Sequence, residues 1–265
     1  MSTYRSSDAE LFYQVRGEGP PLVLLHPFPL HHEFWDGVAD RLATRYRLIL
    51  PDLRAHGDSE AGDGPVTMEK LAKDLALLCR GQELARATFV GVSIGGYLLF
   101  EFWRRYREQV AALVLANTRA GAETPEGRSN RLATAERILH EGTGEFIQEM
   151  LPKLVSPVTL SNRPDLAERA RRMMLKMSAQ DIAAVQRGLA ERPDSIATLK
   201  TITVPTLIIG AEDDSIPRME FELMRQQIQN SRLVVLARAG HYAALEQPQE
   251  FADLLLGFLS RLPAG

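Results

Sequence analysis

Residues 11–15 alternate apolar and polar side chains, as a strand half-buried on a sheet does, and residues 22–25 form a continuous apolar run of strand length. Residues 33–43 space their apolar positions as a helix does; residues 46–50 return to a strand, which Pro51 stops. A helical stripe over 68–80 precedes the short β-prone run 87–90 and a glycine-rich turn. A second helical pattern over 95–107 then carries Tyr97, Leu98, Phe100, Phe102 and Trp103. Residues 110–116 are again a strand. This alternation predicts an α/β fold, a mostly parallel central sheet with helices on both faces.

Residues 119–200 break the pattern. They hold no convincing strand but several helix candidates, punctuated by Pro125, Gly142, Pro152, Pro157, Pro164 and Pro193. Strands resume at 204–209 and 233–236 with a helix over 219–228 between them. The last helix places Phe251, Leu254, Leu255, Phe258 and Leu259 on one core-facing stripe. The expected organisation is a core of residues 1–118 and 201–265 interrupted by a helical subdomain, 119–200.

Composition narrows the function classes. A length of 265 residues with 45% hydrophobic and 25% charged suits one large core with an insert. The formal charge of -3, with both signs interspersed, offers no basic stripe for nucleic acid or membrane, so a small-molecule partner is expected. The polar, acidic start and the lack of a long apolar run point to a cytoplasmic protein. Its one cysteine, Cys79, excludes an intrachain disulfide and reads as core filler. The composition leaves the oligomeric state open.

Candidate chemistry centres on Gly91-Val92-Ser93-Ile94-Gly95, a Gly-x-Ser-x-Gly turn between a strand and a helix. A strand turning abruptly into a helix crowds its own backbone, so the neighbours of the apical serine must lack a Cβ. A serine hydroxyl needs a base to take its proton and a third group to orient that base. Downstream, the strand at 204–209 leads into Glu212, Asp213 and Asp214, and the strand at 233–236 leads into Ala239-Gly240-His241. Of the six histidines, His241 alone sits at a strand-to-helix junction after an acid; His31, His32, His56 and His140 read as surface or packed residues. No zinc motif is present, because Asp36 stands where H-E-x-x-H needs its second histidine.

Taken together these motifs resemble the α/β-hydrolases, over nearly all of the chain outside the insert. Leu25-His26-Pro27-Phe28-Pro29 is similar to that family's oxyanion loop, and the stretch from Pro51 to Ser59 to its Asp-x-Arg-Gly-x-Gly-x-Ser loop. Gly210 to Pro217 is similar to its acid turn, and Gly240-His241 with Glu246 and Pro248 to its histidine turn. Pro27 and Ala55 stand where the family usually has glycine.

The resemblance implies Ser93 as nucleophile, His241 as base and Asp213 as the orienting acid, with Asp214 the competitor and Glu212 a third choice. It implies an oxyanion hole from the backbone N–H groups of Ile94 and of Phe28, the only donor in its Pro-Phe-Pro tripeptide, and a cis Phe28–Pro29 peptide. Arg54 and Asp58 would brace their loop. The insert would be a cap whose Met173 and Met177 contact substrate, unless those two pack the cap's own core.

The implied activity is hydrolysis of small or medium apolar carboxylic esters through an acyl-enzyme, with no metal or organic cofactor. Lactones, enol-lactones, thioesters or perhydrolysis are alternatives on the same chemistry. A low-turnover ligand-binding or receptor protein is the alternative from another class.

Overall fold

Strands that read as unbroken apolar runs occupy the middle of the sheet, where both faces are covered. The computed structural model describes residues 2–263. The first half of the chain gives β1 (Ser2–Arg5), β2 (Glu10–Arg16), β3 (Pro21–Leu25), α1 (Asp36–Leu42), β4 (Arg47–Pro51) and α2 (Met68–Gly81). It continues with β5 (Ala87–Val92), α3 (Ile94–Tyr106) and β6 (Val110–Ala116). After the insert come β7 (Thr206–Ala211), β8 (Ser231–Leu236) and their helices. The strand order is β1-β2-β4-β3-β5-β6-β7-β8, antiparallel at β1–β2 and β2–β4 and parallel elsewhere. All residues of β5 and β7 are buried. Helices pack on the two faces, α2 beside α3 on one of them.

Between β6 and β7 the chain forms only helices: α4 (Pro125–Glu141), α5 (Gly144–Leu154), α6 (Pro157–Asn162), α7 (Pro164–Met174), α8 (Ala179–Ala190) and α9 (Ile196–Leu199). Several starts carry the residues that the physics of helix ends requires. Thr124 caps α4 with Pro125 behind it, Ser156 caps α6 ahead of Pro157, and Ser178 forms a reciprocal capping box with Asp181 on α8. Helix α8 docks on the core, where Val66 N–H donates to Ala184 O at 3.0 Å. A Cβ on Gly188 would lie 1.8 Å from Val66 O, so only glycine permits this approach. The chain ends with α10 (Arg218–Gln227), α11 (Ala243–Glu246) and α12 (Pro248–Leu259), and α12 lies against α1.

Three elements differ from the sequence pattern. The helix expected over 33–43 is a 3₁₀ turn, His32–Trp35, followed by the shorter α1. His32 is held by Asp52 through both its backbone N–H (2.7 Å) and its ring Nδ1 (2.8 Å), which fixes the chain before the regular helix can begin. Strand β1 carries no apolar alternation because it is a mostly exposed edge. Strand β7 runs two residues past 209, since Gly210 pairs with Val235 and leaves room for the Phe221 ring, which a Cβ would meet at 2.4 Å. Trp35, Trp103 and Cys79 are all in the core, and burial pushes the Cys79 thiol up to about 12, so it is inert.

Candidate active site

Ser93 stands between β5 and α3 at φ 54° and ψ -112°, a backbone conformation that costs a non-glycine residue about 1–3 kcal/mol. The surroundings hold it there. Ser93 N–H donates to Ala116 O at 3.0 Å, and Ser93 O accepts from the Thr118 hydroxyl at 2.9 Å and from Gly96 N–H at 2.9 Å. A Cβ on Gly91 would lie 2.5 Å from the Gly95 carbonyl, and one on Gly95 would lie 2.7 Å from Leu25 O. The motif glycines are therefore demanded by close packing.

The loop after β3 passes beside this elbow. His26 is fully buried; its Nε2 accepts from Leu53 N–H at 2.9 Å, so Nδ1 carries the proton and donates to Pro27 O at 3.0 Å. Burial holds its pKa well below the usual histidine range, so the ring stays neutral. The Phe28–Pro29 peptide is cis, as expected. The two departures from the family pattern behave differently: Pro27 takes no positive φ, whereas Ala55 adopts φ 66°, the left-handed conformation for which glycine is usual. Arg54 points away from the cavity and braces its loop on Asp74 (2.8 Å) and Asp8 (2.8 Å). Asp58 meets Lys176 at 3.3 Å on the surface. His31, His32 and Asp52 lie close enough together to hold a cation, but Asp52 already accepts from His32 and from Asp58 N–H.

The carboxylate that meets His241 is not Asp213, the one the sequence reading placed there, but its neighbour. Asp213 is exposed, with its N–H on Ala239 O. Asp214 instead turns inward, and its Oδ1 lies 2.8 Å from His241 Nδ1, with side-chain exposures of 0% for the aspartate and 6% for the histidine. β7 continues to Ala211, and the turn after it ties Asp213 N–H to Ala239 O and Asp214 N–H to Ala211 O, a backbone path that leaves the Asp214 side chain facing Asn117 and His241. Burial pushes the Asp214 carboxyl up, but His241, Ile216 N–H (3.0 Å) and the Asn117 amide (2.7 Å) more than offset this and hold it below the usual carboxylate range. The sequence reading missed Asn117, which follows β6 at φ 45°; a single asparagine after a strand has no signature beyond its tolerance of that conformation.

The turn bearing His241 is tied to the insert. Tyr242 N–H donates to Leu154 O at 3.1 Å. The buried Glu246 accepts from Gly240 N–H and from Ser156 N–H, both at 3.0 Å. A charged Asp214 orients Nδ1–H toward itself and leaves Nε2 with its lone pair free.

Ser93, His241, Phe28 and Ile94 line one cavity of about 230 Å³. Among the described residues no hydrogen bond joins the Ser93 hydroxyl to His241, a contact that commonly tightens only with substrate. Neither Phe28 N–H nor Ile94 N–H donates to another backbone carbonyl. The insert contributes Met150 and Leu154 from α5, Leu189 from α8 and Arg131 from α4. Met173 and Met177 do not line the cavity; both are buried in the hydrophobic core, a correction to the expected substrate contacts. A larger open groove of about 560 Å³ beside Lys73 and Tyr106 contains none of the expected site residues.

The chain is 36% identical to a thermophilic esterase from Thermogutta terrifontis, solved with malate bound; each covers 100% of the other, with a TM-score of 0.96. It is 25% identical to the enol-lactonase from Burkholderia xenovorans LB400, over 98% of this chain and 100% of that one, with a TM-score of 0.92. With 3-oxoadipate enol-lactonase 1 of Acinetobacter baylyi it shares 26% identity over 95% of this chain and 94% of the relative. The sequence profile described as the alpha/beta hydrolase family matches residues 22–254. That stretch takes in the strands from β3 to β8 together with the insert, so the likeness is one of the whole fold, and the chain belongs to the α/β-hydrolase family.

Proposed function

We propose that this chain hydrolyses small carboxylic esters through an acyl-enzyme at Ser93. The observation that carries the reading is the His241–Asp214 pair, 2.8 Å apart, shielded from solvent and opening on the cavity that Ser93 lines. In this mechanism His241 Nε2 takes the Ser93 proton as Oγ bonds to the substrate carbonyl carbon. The carbonyl electron pair moves to oxygen, where the N–H groups of Phe28 and Ile94 receive it. Collapse breaks the bond to the alcohol, which leaves with the proton from His241. Water then repeats the sequence on the acyl-enzyme and releases the acid. Asp214, not Asp213, orients the imidazole and stabilises its charged form.

Residues 119–200 act as a cap, and the small cavity under them limits the acyl group to a few carbons. Lactones are a second reading, favoured by the full-length likeness to two enol-lactonases. The test is a rate series on p-nitrophenyl acetate to octanoate beside simple γ- and δ-lactones, with Ser93→Ala as control. Mass spectrometry of the protein treated with an organophosphonate should find the adduct on Ser93. Full activity in Ser93→Ala would remove Ser93 as the nucleophile, and no adduct on the wild type would count for a binding protein instead.

A further inference from the structure

The cavity contains groups that hydrolysis of a neutral ester leaves unused. Two guanidinium groups, Arg119 and Arg131, line it, and none of its lining residues is a carboxylate. A third, Arg192, lies behind Tyr97, 4.0 Å from the ring centroid, with 2% of its side chain exposed. None of its side-chain nitrogens has a hydrogen-bond partner among the described residues. All three arginines converge on one acid, Glu123, with nitrogen–oxygen distances of 2.9 Å from Arg119, 2.8 Å from Arg131 and 3.8 Å from Arg192. One carboxylate cannot neutralise three guanidinium groups, which stay protonated at any pH the protein survives. Gln186 accepts from Arg131 at 2.9 Å but brings no charge. The insert's other contributions to the wall, Met150, Leu154 and Leu189, are apolar.

Arg119 and Arg131 are only about a quarter exposed and Arg192 is buried, so three cations sharing one carboxylate are costly beside a cavity that substrate will close off from water, and further negative charge there is favourable. We infer that the substrate supplies it: the site takes an ester or lactone that also bears a carboxylate, held by Arg131 and Arg119, with Arg192 strengthening the field from behind Tyr97. This rests on the reading of the Ser93 cavity as a hydrolytic site. The planar guanidinium fork matches a carboxylate with two parallel hydrogen bonds, which a lysine cannot do. A neutral ester of the same shape covers both forks and leaves them only the one carboxylate of Glu123 to share, and discrimination follows from that shortfall.

The test compares kcat/KM for monomethyl glutarate and methyl valerate, and separately titrates glutarate by calorimetry. The expected preference for the anionic ester is at least about tenfold. It should shrink as salt is raised, collapse in Arg131→Gln, and be intermediate in Arg131→Lys. Glu123→Gln, which removes the cluster's only acid, should increase it. Glutarate should bind the wild type and lose about tenfold in affinity in Arg131→Gln; Arg119→Gln carries the same test if that variant does not fold. Equal turnover of the two esters with no glutarate binding overturns the anion subsite and leaves ester hydrolysis standing. Turnover of neither ester, with Arg131-dependent glutarate binding, overturns hydrolysis and leaves the subsite standing.

Discussion

The two walls of the cavity are built on different physical terms. The sheet wall delivers Ser93, Asn117 and Asp214 from the ends of β5, β6 and β7, strands whose side chains are nearly all buried and whose hydrogen bonds are shared with neighbours on both sides. The insert wall rests on amphipathic helices. Of the seventeen residues of α4 only Ala135 and Ile138 are buried, and its outer face carries Arg137 among Glu141, Glu145 and Glu149. Such exposed pairs each contribute little. On the proposed function, the geometry needed for bond making is thus over-determined, while the wall that would select substrate rests on fewer buried side chains and is freer to vary.

The largest effect that separates the walls concerns the acid. Asp214→Asn should lower kcat by about 10⁴-fold by misorienting the imidazole, while Asp213→Asn, one residue away on the surface, stays within about threefold. Steady-state rates on one ester decide it, and the reverse order would place the acid on Asp213 and undo the geometry described for β7.

Acid should weaken the sheet wall first. Burial lowers the His56 pKa to about 4, so the unfolded chain binds a proton that the folded chain refuses. Stability from this group is full above about 6.5 and is lost as pH falls toward 4, by about 3 kcal/mol. His26 acts in the same direction. Asp214, whose pKa is lowered, adds stability that disappears only at still lower pH, as its own carboxyl takes up a proton. Urea unfolding at a series of pH values should show this loss, with a shallower slope in His56→Asn; an unchanged slope in that variant would remove His56 from the account. By contrast, high salt at pH 7 should leave the urea midpoint nearly unchanged, because the insert's exposed ion pairs contribute little.

The smallest effect tests strain. Ala55→Gly relieves the left-handed conformation at φ 66° and should stabilise the protein by up to about 1 kcal/mol, read as a rise in Tm. A fall would mean that the Ala55 methyl, which is buried, contributes more in packing than its backbone loses.

Features that follow from sterics were legible in the sequence, and features that depend on a register of one or two residues were not. Gly91 and Gly95 announced the elbow because no side chain fits there, and His241 announced itself by its place after β8. Asp214 was hidden because nothing local tells that β7 continues through Gly210; the reason lies in the Phe221 ring across from it. Periodicity found helices in the insert but not which faces meet the sheet, so Met173 and Met177 were expected where Met150 and Leu154 stand. The arginine cluster joins residues from α4, the loop before it and the loop after α8, positions that no linear pattern connects.

The hydrogen bonds that Leu154 O accepts from Tyr242 and Ser156 N–H donates to Glu246 have a bearing on how such proteins diversify. An insert fastened to the histidine turn in this way is not an interchangeable cassette. A chimera that brings in a foreign helical segment keeps its histidine in place only if residues 154–156 stay native or are replaced by a backbone that meets Tyr242 and Glu246 at the same points. If the insert selects substrate as proposed, new specificities are most accessible through side-chain changes on α4 and α8, which leave that seam intact.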